Sequence, residues 1–143
     1  CRSHYSHVVA DKSLRMSGIL FLCIHNAGRS QMAAGFAREL SGGAVTILSG
    51  GSEPADSVNP VAVEVMNEVG IDISSYVPQK YNDDLLHAVD VVVTMGCGDT
   101  CPYIPGKKYI DWPLDDPKGQ PLDVVRRIRD EIKQNVSDLL SQL

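Results

Sequence analysis

No apolar run in this 143-residue sequence approaches the roughly 18–20 residues that cross a bilayer, so a transmembrane helix is not expected. Residues 1–17 lack the long apolar core of a secretory signal: Val8-Val9-Ala10 gives way at once to charge. There is no excess of positive charge either. Thirteen Lys and Arg stand against eighteen Asp and Glu, a formal net charge of −5, which argues against broad nucleic-acid binding but permits a local cationic cradle. No internal repeat, linker or low-complexity stretch interrupts residues 18–143. Cysteine is sparse, at Cys1, Cys23, Cys97 and Cys101. With no export signal the expected compartment is cytoplasmic, where four thiols point to catalytic, redox or metal chemistry rather than to a disulfide framework.

What is present suits one globular domain. The chain is long enough to bury a core without metal or disulfide staples, and 43% hydrophobic with 22% charged residues is ordinary for such a fold. Met16-Ser17-Gly18 reads as a natural domain start. Residues 1–17 are therefore expected to be an extension and Cys1 incidental, while His4 and His7 alone are a weak metal signal.

The most informative segment is Ile19-Leu20-Phe21-Leu22-Cys23-Ile24-His25-Asn26-Ala27-Gly28-Arg29-Ser30. Its four leading apolar residues read as a buried strand, and Ser30–Leu40 reads as a helix, which puts the intervening loop at a strand-to-helix junction. Unpaired N–H groups and the helix dipole make such a junction an anion cradle. Arg29 adds a fork of donors to the same anion. In that field Cys23 is expected to become a thiolate nucleophile beside a bound oxyanion, with Ile24, His25, Asn26, Ala27, Gly28, Arg29 and Ser30 as the oxyanion-binding loop.

The rest of the chain alternates strand and helix. Ala44–Ser49 reads as a second strand, and Asn59-Pro60 opens a helix with Val61, Val63, Val65, Met66 and Val69 inside, closed by Gly70. A short helical piece starts at Asp83-Asp84 and runs through His87. Asp90–Met95 is too continuously apolar to be half exposed and belongs mid-sheet. Lys108–Ile110 is a short fourth strand, and a last helix from about Pro121 to Leu143 carries Val125, Ile128, Ile132, Val136, Leu139 and Leu143 as one stripe. This order implies a parallel sheet with helices on both faces and ligands at the carboxyl ends of its strands. Both Cys23 and the stretch after Met95 lie at such ends.

That second stretch is Gly96-Cys97-Gly98-Asp99-Thr100-Cys101-Pro102. On a helical turn, positions four apart face the same way with β-carbons about 5–6 Å apart, so modest rearrangement brings the two sulfurs within bonding range. Gly96 and Gly98 loosen the backbone for it. A phosphatase needs no such pair. An enzyme that reduces its substrate does, because two electrons must leave thiols as a disulfide.

Cys, five residues, Arg and Ser between a buried strand and a helix closely resembles the low-molecular-weight tyrosine phosphatase fold. Over nearly all of 18–143 the chain is similar to arsenate reductases built on that fold. The matching pieces are Cys23–Ala33, Val58-Asn59-Pro60, Gly70–Ser74, Val92–Met95 with the two cysteines, and Trp112–Pro117. The resemblance implies an α/β three-layer sandwich around a four-stranded parallel sheet. It also implies a reaction for arsenic detoxification: Cys23 attacks arsenate held by the loop amides and Arg29, and Asp116, directly before Pro117, donates a proton to the departing oxygen. Cys97 then attacks Cys23 and arsenite leaves, after which Cys101 attacks Cys97. Thioredoxin, or a small thiol such as glutathione or mycothiol with a glutaredoxin- or mycoredoxin-type partner, would reduce the final disulfide. Phosphate or sulfate would compete for the cradle, and no cofactor or metal is called for.

Supporting roles follow, each beside a plainer one. Ser30 hydrogen-bonds the Cys23 sulfur or caps the helix; Asn26 fixes the loop or merely tolerates a left-handed turn. His25 adds positive charge near the anion or points to solvent. Asp115 is expected to be solvated or structural. Some relatives hold potassium beside the loop through carboxylates bracing Asn26. The corresponding positions here are Ala34 and Gln79, so that ion site is not expected, and Lys80 is the expected substitute. Two rivals remain. One is a tyrosine phosphatase using Cys23, Arg29 and Asp116, against which Lys118-Gly119 stands where an aromatic wall is usual; the other is a zinc or redox-sensing module of Cys97, Cys101 and His87, which lacks a second ligand pair.

Overall fold

The computed structural model describes residues 18–43, 45–95, 108–115, 117 and 119–142. Its elements in chain order are β1 (Gly18–Cys23), α1 (Arg29–Ser41), β2 (Thr46–Gly51), α2 (Pro60–Asn67), α3 (Asp83–His87), β3 (Val91–Thr94), β4 (Lys108–Asp111) and α4 (Leu122–Ser141). The four strands form one parallel sheet in the order β2-β1-β3-β4. β1 is central, with β2 on one side and β3 on the other. The chain therefore reverses its winding at the carboxyl end of β1, the crevice where parallel sheets take ligands.

Strand alternation sorts the core into two layers. Ile19, Phe21 and Cys23 of β1 and Val91 and Val93 of β3 face a large cluster with Met32 and Phe36 of α1, Val65 and Met66 of α2, and the α4 stripe Val125, Ile128, Ile132, Val136 and Leu139. Leu20, Leu22 and Val92 face the opposite way, onto Leu86 of α3, Val89 and Tyr109. Helices thus cover both faces, as the alternating pattern implied. The stripe spaced by three and four along α4 is the strongest helical signal in the sequence, and all five of those residues are buried.

Three elements end or begin elsewhere than expected. β2 begins at Thr46 rather than Ala44 and continues through Gly50 and Gly51, which had looked like terminators. The reason is steric. A β-carbon at Gly51 would sit 2.5 Å from the Ile24 carbonyl oxygen and 2.7 Å from that of Cys23, so only glycine lets the strand run on beside the loop. α2 stops at Asn67, three residues short of Gly70, because the backbone turns at 68–70 and Gly70 takes φ +83°; Val69 is left 40% exposed rather than buried. β3 is shorter by one residue at each end, since Asp90 and Met95 lie just outside the ladder. Leu143, expected on the last stripe, lies outside the described residues, as do residues 1–17.

Candidate active site

Cys23 ends β1, and residues 24–28 carry the chain into α1. Every carbonyl of this loop is spoken for on its outer side. The oxygen of Ile24 accepts from Glu53 N (2.8 Å), that of His25 from Ala55 N (2.9 Å), and that of Ala27 from Asn59 N (2.8 Å). The Gly28 oxygen accepts from Met32 N at 2.9 Å and the Asn26 oxygen from Gln31 Nε2 at 2.9 Å. No peptide here is cis, and across a trans peptide the N–H points opposite to the C=O. Turning five consecutive carbonyls outward therefore turns the N–H groups of residues 25–29 inward, onto one concave rim. Segment 53–59 is the splint that holds this shape, and sequence reasoning missed it because the pairing joins loops some 30 positions apart.

Two more features suit the rim to an anion. Gly28 is the N-cap of α1 and no side chain caps the helix, so the helix start is directed to the same rim. Arg29 is buried to 8% exposure, with Nη1 donating to the carbonyls of Met95 (2.6 Å) and Leu114 (3.1 Å). One nitrogen of the guanidinium is thus an anchor to the ends of β3 and of the 112–115 strap, and Arg29 lines the cleft that also holds Cys23.

Cys23 lies at the foot of the cradle, 4% exposed, with its Sγ 2.9 Å from Ser30 Oγ. The Ser30 hydroxyl is also held from its other side. Gln79 N donates to Asn26 Oδ1 (2.9 Å), which orients the Asn26 amide and leaves Nδ2 to donate to Ser30 Oγ (2.7 Å). Ser30 Oγ accepts from Asn26 and keeps its own hydrogen and a second lone pair for the Cys23 sulfur beside it. Ser30 is the second residue of α1 and not its cap. Asn26 combines both readings given to it: φ is +51° and its fully buried side chain ties the loop together. The expected Lys80 substitution does not occur. Lys80 is exposed, and the donors on Asn26 Oδ1 are Gln79 N and Gln31 Nε2 (3.2 Å), so neutral amides form the brace.

A cleft of about 380 Å³ opens over Cys23, walled by Ala27, Ala55, Asn59, Pro60 and Pro117. His25 also lines it; its ring is exposed, and its Nδ1 donates to the Glu53 carbonyl at 3.0 Å, so the imidazole helps seat the splint. Asp115 is turned away from the cleft, its side chain 75% exposed and 3.6 Å from Arg127. Pro117 packs against the loop, its Cγ 3.3 Å from where a β-carbon on Gly28 would be. Asp116, Cys97 and Cys101 lie outside the described residues. Among the described residues no group of three or more His, Cys, Asp or Glu is arranged to hold a metal, and no helix is long and apolar enough to cross a membrane.

Comparison with known proteins matches this geometry to a family. A putative arsenate reductase from Halobacterium salinarum is 44% identical over 128 residues, 85% of this chain and 89% of the relative. The thioredoxin-dependent arsenate reductase of Corynebacterium glutamicum superposes with a TM-score of 0.80 at 38% identity, over 91% of this chain; this chain spans 63% of that longer one. An arsenate reductase solved in its phosphate-binding state gives a TM-score of 0.78 at 38% identity, covering 89% of this chain and 98% of that one. Residues 18–143 match the family described as low molecular weight phosphotyrosine protein phosphatase, and the chain belongs to that family.

Proposed function

We propose that this chain reduces arsenate to arsenite for arsenic detoxification, with Cys23 as nucleophile and Cys97 and Cys101 as the electron source. The observation that carries the reading is a loop whose five carbonyls all accept hydrogen bonds, which leaves the N–H groups of residues 25–29 to meet an anion, with the Cys23 sulfur at its foot and Arg29 beside it. A tetrahedral oxyanion fits such a rim, and its charge is met by fixed dipoles that need no reorganisation as the reaction proceeds. Similarity to arsenate reductases supports arsenate as that oxyanion.

In the first step the Cys23 thiolate attacks arsenic and one arsenate oxygen leaves as water, its proton supplied by Asp116. Asp116 sits in sequence between Asp115, which faces Arg127, and Pro117, which walls the cleft. The product is a Cys23–arsenic(V) adduct. Cys97 thiolate then attacks the Cys23 sulfur: an S–S bond forms, the S–As bond breaks, and its electron pair stays on arsenic, which departs as arsenite. Cys97 follows by two positions the Met95 whose carbonyl Arg29 holds, which suits it to this attack. Cys101 next attacks Cys97, freeing Cys23 and leaving a Cys97–Cys101 disulfide. A thiol reductant closes the cycle; a thioredoxin-type dithiol is proposed first, a mycothiol or glutathione system second, in the cytoplasm.

Phosphate binds the same rim but cannot accept the electron pair, so it acts as a competitive ligand. The test is Cys97→Ser. Arsenate turnover with a thiol reductant is expected to stop while phosphate still binds; full arsenite production by that variant contradicts the relay. The phosphatase alternative rests on family relation alone, and it would leave Cys97→Ser fully active on aryl phosphates with no arsenate reduction in the parent.

A further inference from the structure

The groups behind the cradle form a chain of hydrogen bonds with one polarity, and its far end was given no role above. Gln31 is the third residue of α1 and almost wholly buried, a costly place for an amide unless every polar atom is matched. Its Nε2 lies 2.9 Å from Asn26 O and 3.2 Å from Asn26 Oδ1. Both of those are acceptors, so the facing atom is nitrogen, and Oε1 is left to face Ser49 Oγ at 3.5 Å, which makes Ser49 the donor. Ser49 is itself tied down, its carbonyl accepting from Gln79 Nε2 at 2.8 Å. Read in order, protons point from Ser49 to Gln31, from Gln31 to Asn26 and from Asn26 to Ser30, and toward a Cys23 thiolate, which can only accept, Ser30 is the donor.

We infer that Gln31 is a positioning residue for the Cys23 thiolate, acting through Asn26 and Ser30 and never touching the substrate. Two effects combine. The amide pins the Asn26 carbonyl outward despite its left-handed backbone, which keeps the following N–H on the rim. It also supplies a second donor to Asn26 Oδ1, and bonds in one sense polarise each other, so the Ser30 proton is presented more strongly to sulfur. Among the described residues, the charged or titratable groups lining the cleft with Cys23 are Arg29 on α1 and His25 on the loop; β2 presents Gly51 to the loop, and Asp115 faces Arg127.

The inference rests on Cys23 being the reactive thiolate, and its test reads that thiolate without arsenate. The full chain and Gln31→Met, which keeps length and volume but loses the donors, are alkylated with iodoacetamide across pH, and modification at Cys23 is followed by peptide mass spectrometry. In Gln31→Met the pH midpoint for alkylation is expected to rise, with the rate below that midpoint falling about tenfold, the scale of one hydrogen bond to a charged group. Arsenate kcat should fall with it and KM change little. Gln31→Leu, which is apolar and loses the donors without adding charge, is the second variant should the first not fold, with the same direction expected. An unchanged midpoint in a folded variant overturns the assignment, even if thermal stability falls. A parent protein whose Cys23 alkylates like a free thiol would instead count against the nucleophile reading itself.

Discussion

Asn26 Nδ2 donates to Ser30 Oγ at 2.7 Å, and the same oxygen lies 2.9 Å from the Cys23 sulfur. When Cys23 is a thiolate it can only accept, and the Ser30 hydroxyl is then the donor of that contact. Removing it in Ser30→Ala deletes a hydrogen bond to a charged acceptor, a loss of roughly 1.5–3 kcal/mol. kcat/KM for arsenate is expected to fall about 10–100-fold, with alkylation of Cys23 moved to higher pH. Retention of the parent rate would mean that the amide rim alone sustains the thiolate.

Arg29→Lys tests the anchor. A lysine retains positive charge but cannot hold the Met95 and Leu114 carbonyls while presenting further donors in a fixed plane. A loss of about 10²–10³ in kcat is expected, in the range for removing one oxyanion donor. Titration calorimetry with phosphate should show weakened binding in parallel.

Gly51→Ala is a test of shape without chemistry. The new methyl would lie 2.5 Å from Ile24 O and 2.7 Å from Cys23 O, against backbone that cannot swing aside as a side chain would. The variant should lose about 1–3 kcal/mol of stability in urea unfolding, as overpacked sites do, and lose phosphate binding because the rim is displaced. Normal phosphate affinity in a folded Gly51→Ala protein would show that the loop does not depend on this close approach.

Asp115 and Asp116 separate two neighbouring carboxylates. Asp115→Asn, which loosens only an exposed pair with Arg127, should leave turnover within about twofold, given the small worth of surface ion pairs. Asp116→Asn should lower it about 10²–10⁴-fold, the contribution typical of a positioned acid. Parallel steady-state assays decide it, and the reverse ranking would move the proton donor to Asp115.

Glu68 carries a pH dependence away from the site. The Arg126 hydrogen bond holds its carboxyl below the usual value of 4.5, burial opposes this, and a bond from Arg129 adds to the lowering. A folded pKa below the unfolded one means stabilisation that is full above about pH 4.5 and lost as pH falls through the lower folded value. Glu68→Gln should therefore melt below the parent at pH 7, with the gap closing toward pH 3. A gap that persists at acid pH would assign the effect to packing between α2 and α4.

Much of this molecule was legible because its strongest signals are local. The β1 run, the α4 stripe and the loop of Cys23 to Ser30 each express one element's periodicity or one turn's chemistry, and the structure has them within a residue or two. What escaped is nonlocal. Gly51 looked like a strand terminator because the Ile24 carbonyl it must avoid belongs to another segment. Gln31 entered the sequence reading only as part of the matching piece Cys23–Ala33, and its bonds to Asn26, which takes φ +51°, exist only in the folded loop. Segment 53–59 has no periodicity at all, and its role exists only in the pairing with the cradle.

The central claim is that one chain holds both the anion cradle and the electrons. It is tested by a single turnover: fully reduced protein, excess arsenate, no added reductant, with arsenite assayed and the oxidation state of Cys23, Cys97 and Cys101 mapped by mass spectrometry. The account requires about one arsenite per chain and a Cys97–Cys101 disulfide with Cys23 free, as a two-electron transfer from one dithiol demands. No arsenite, with all three thiols still reduced, would contradict it.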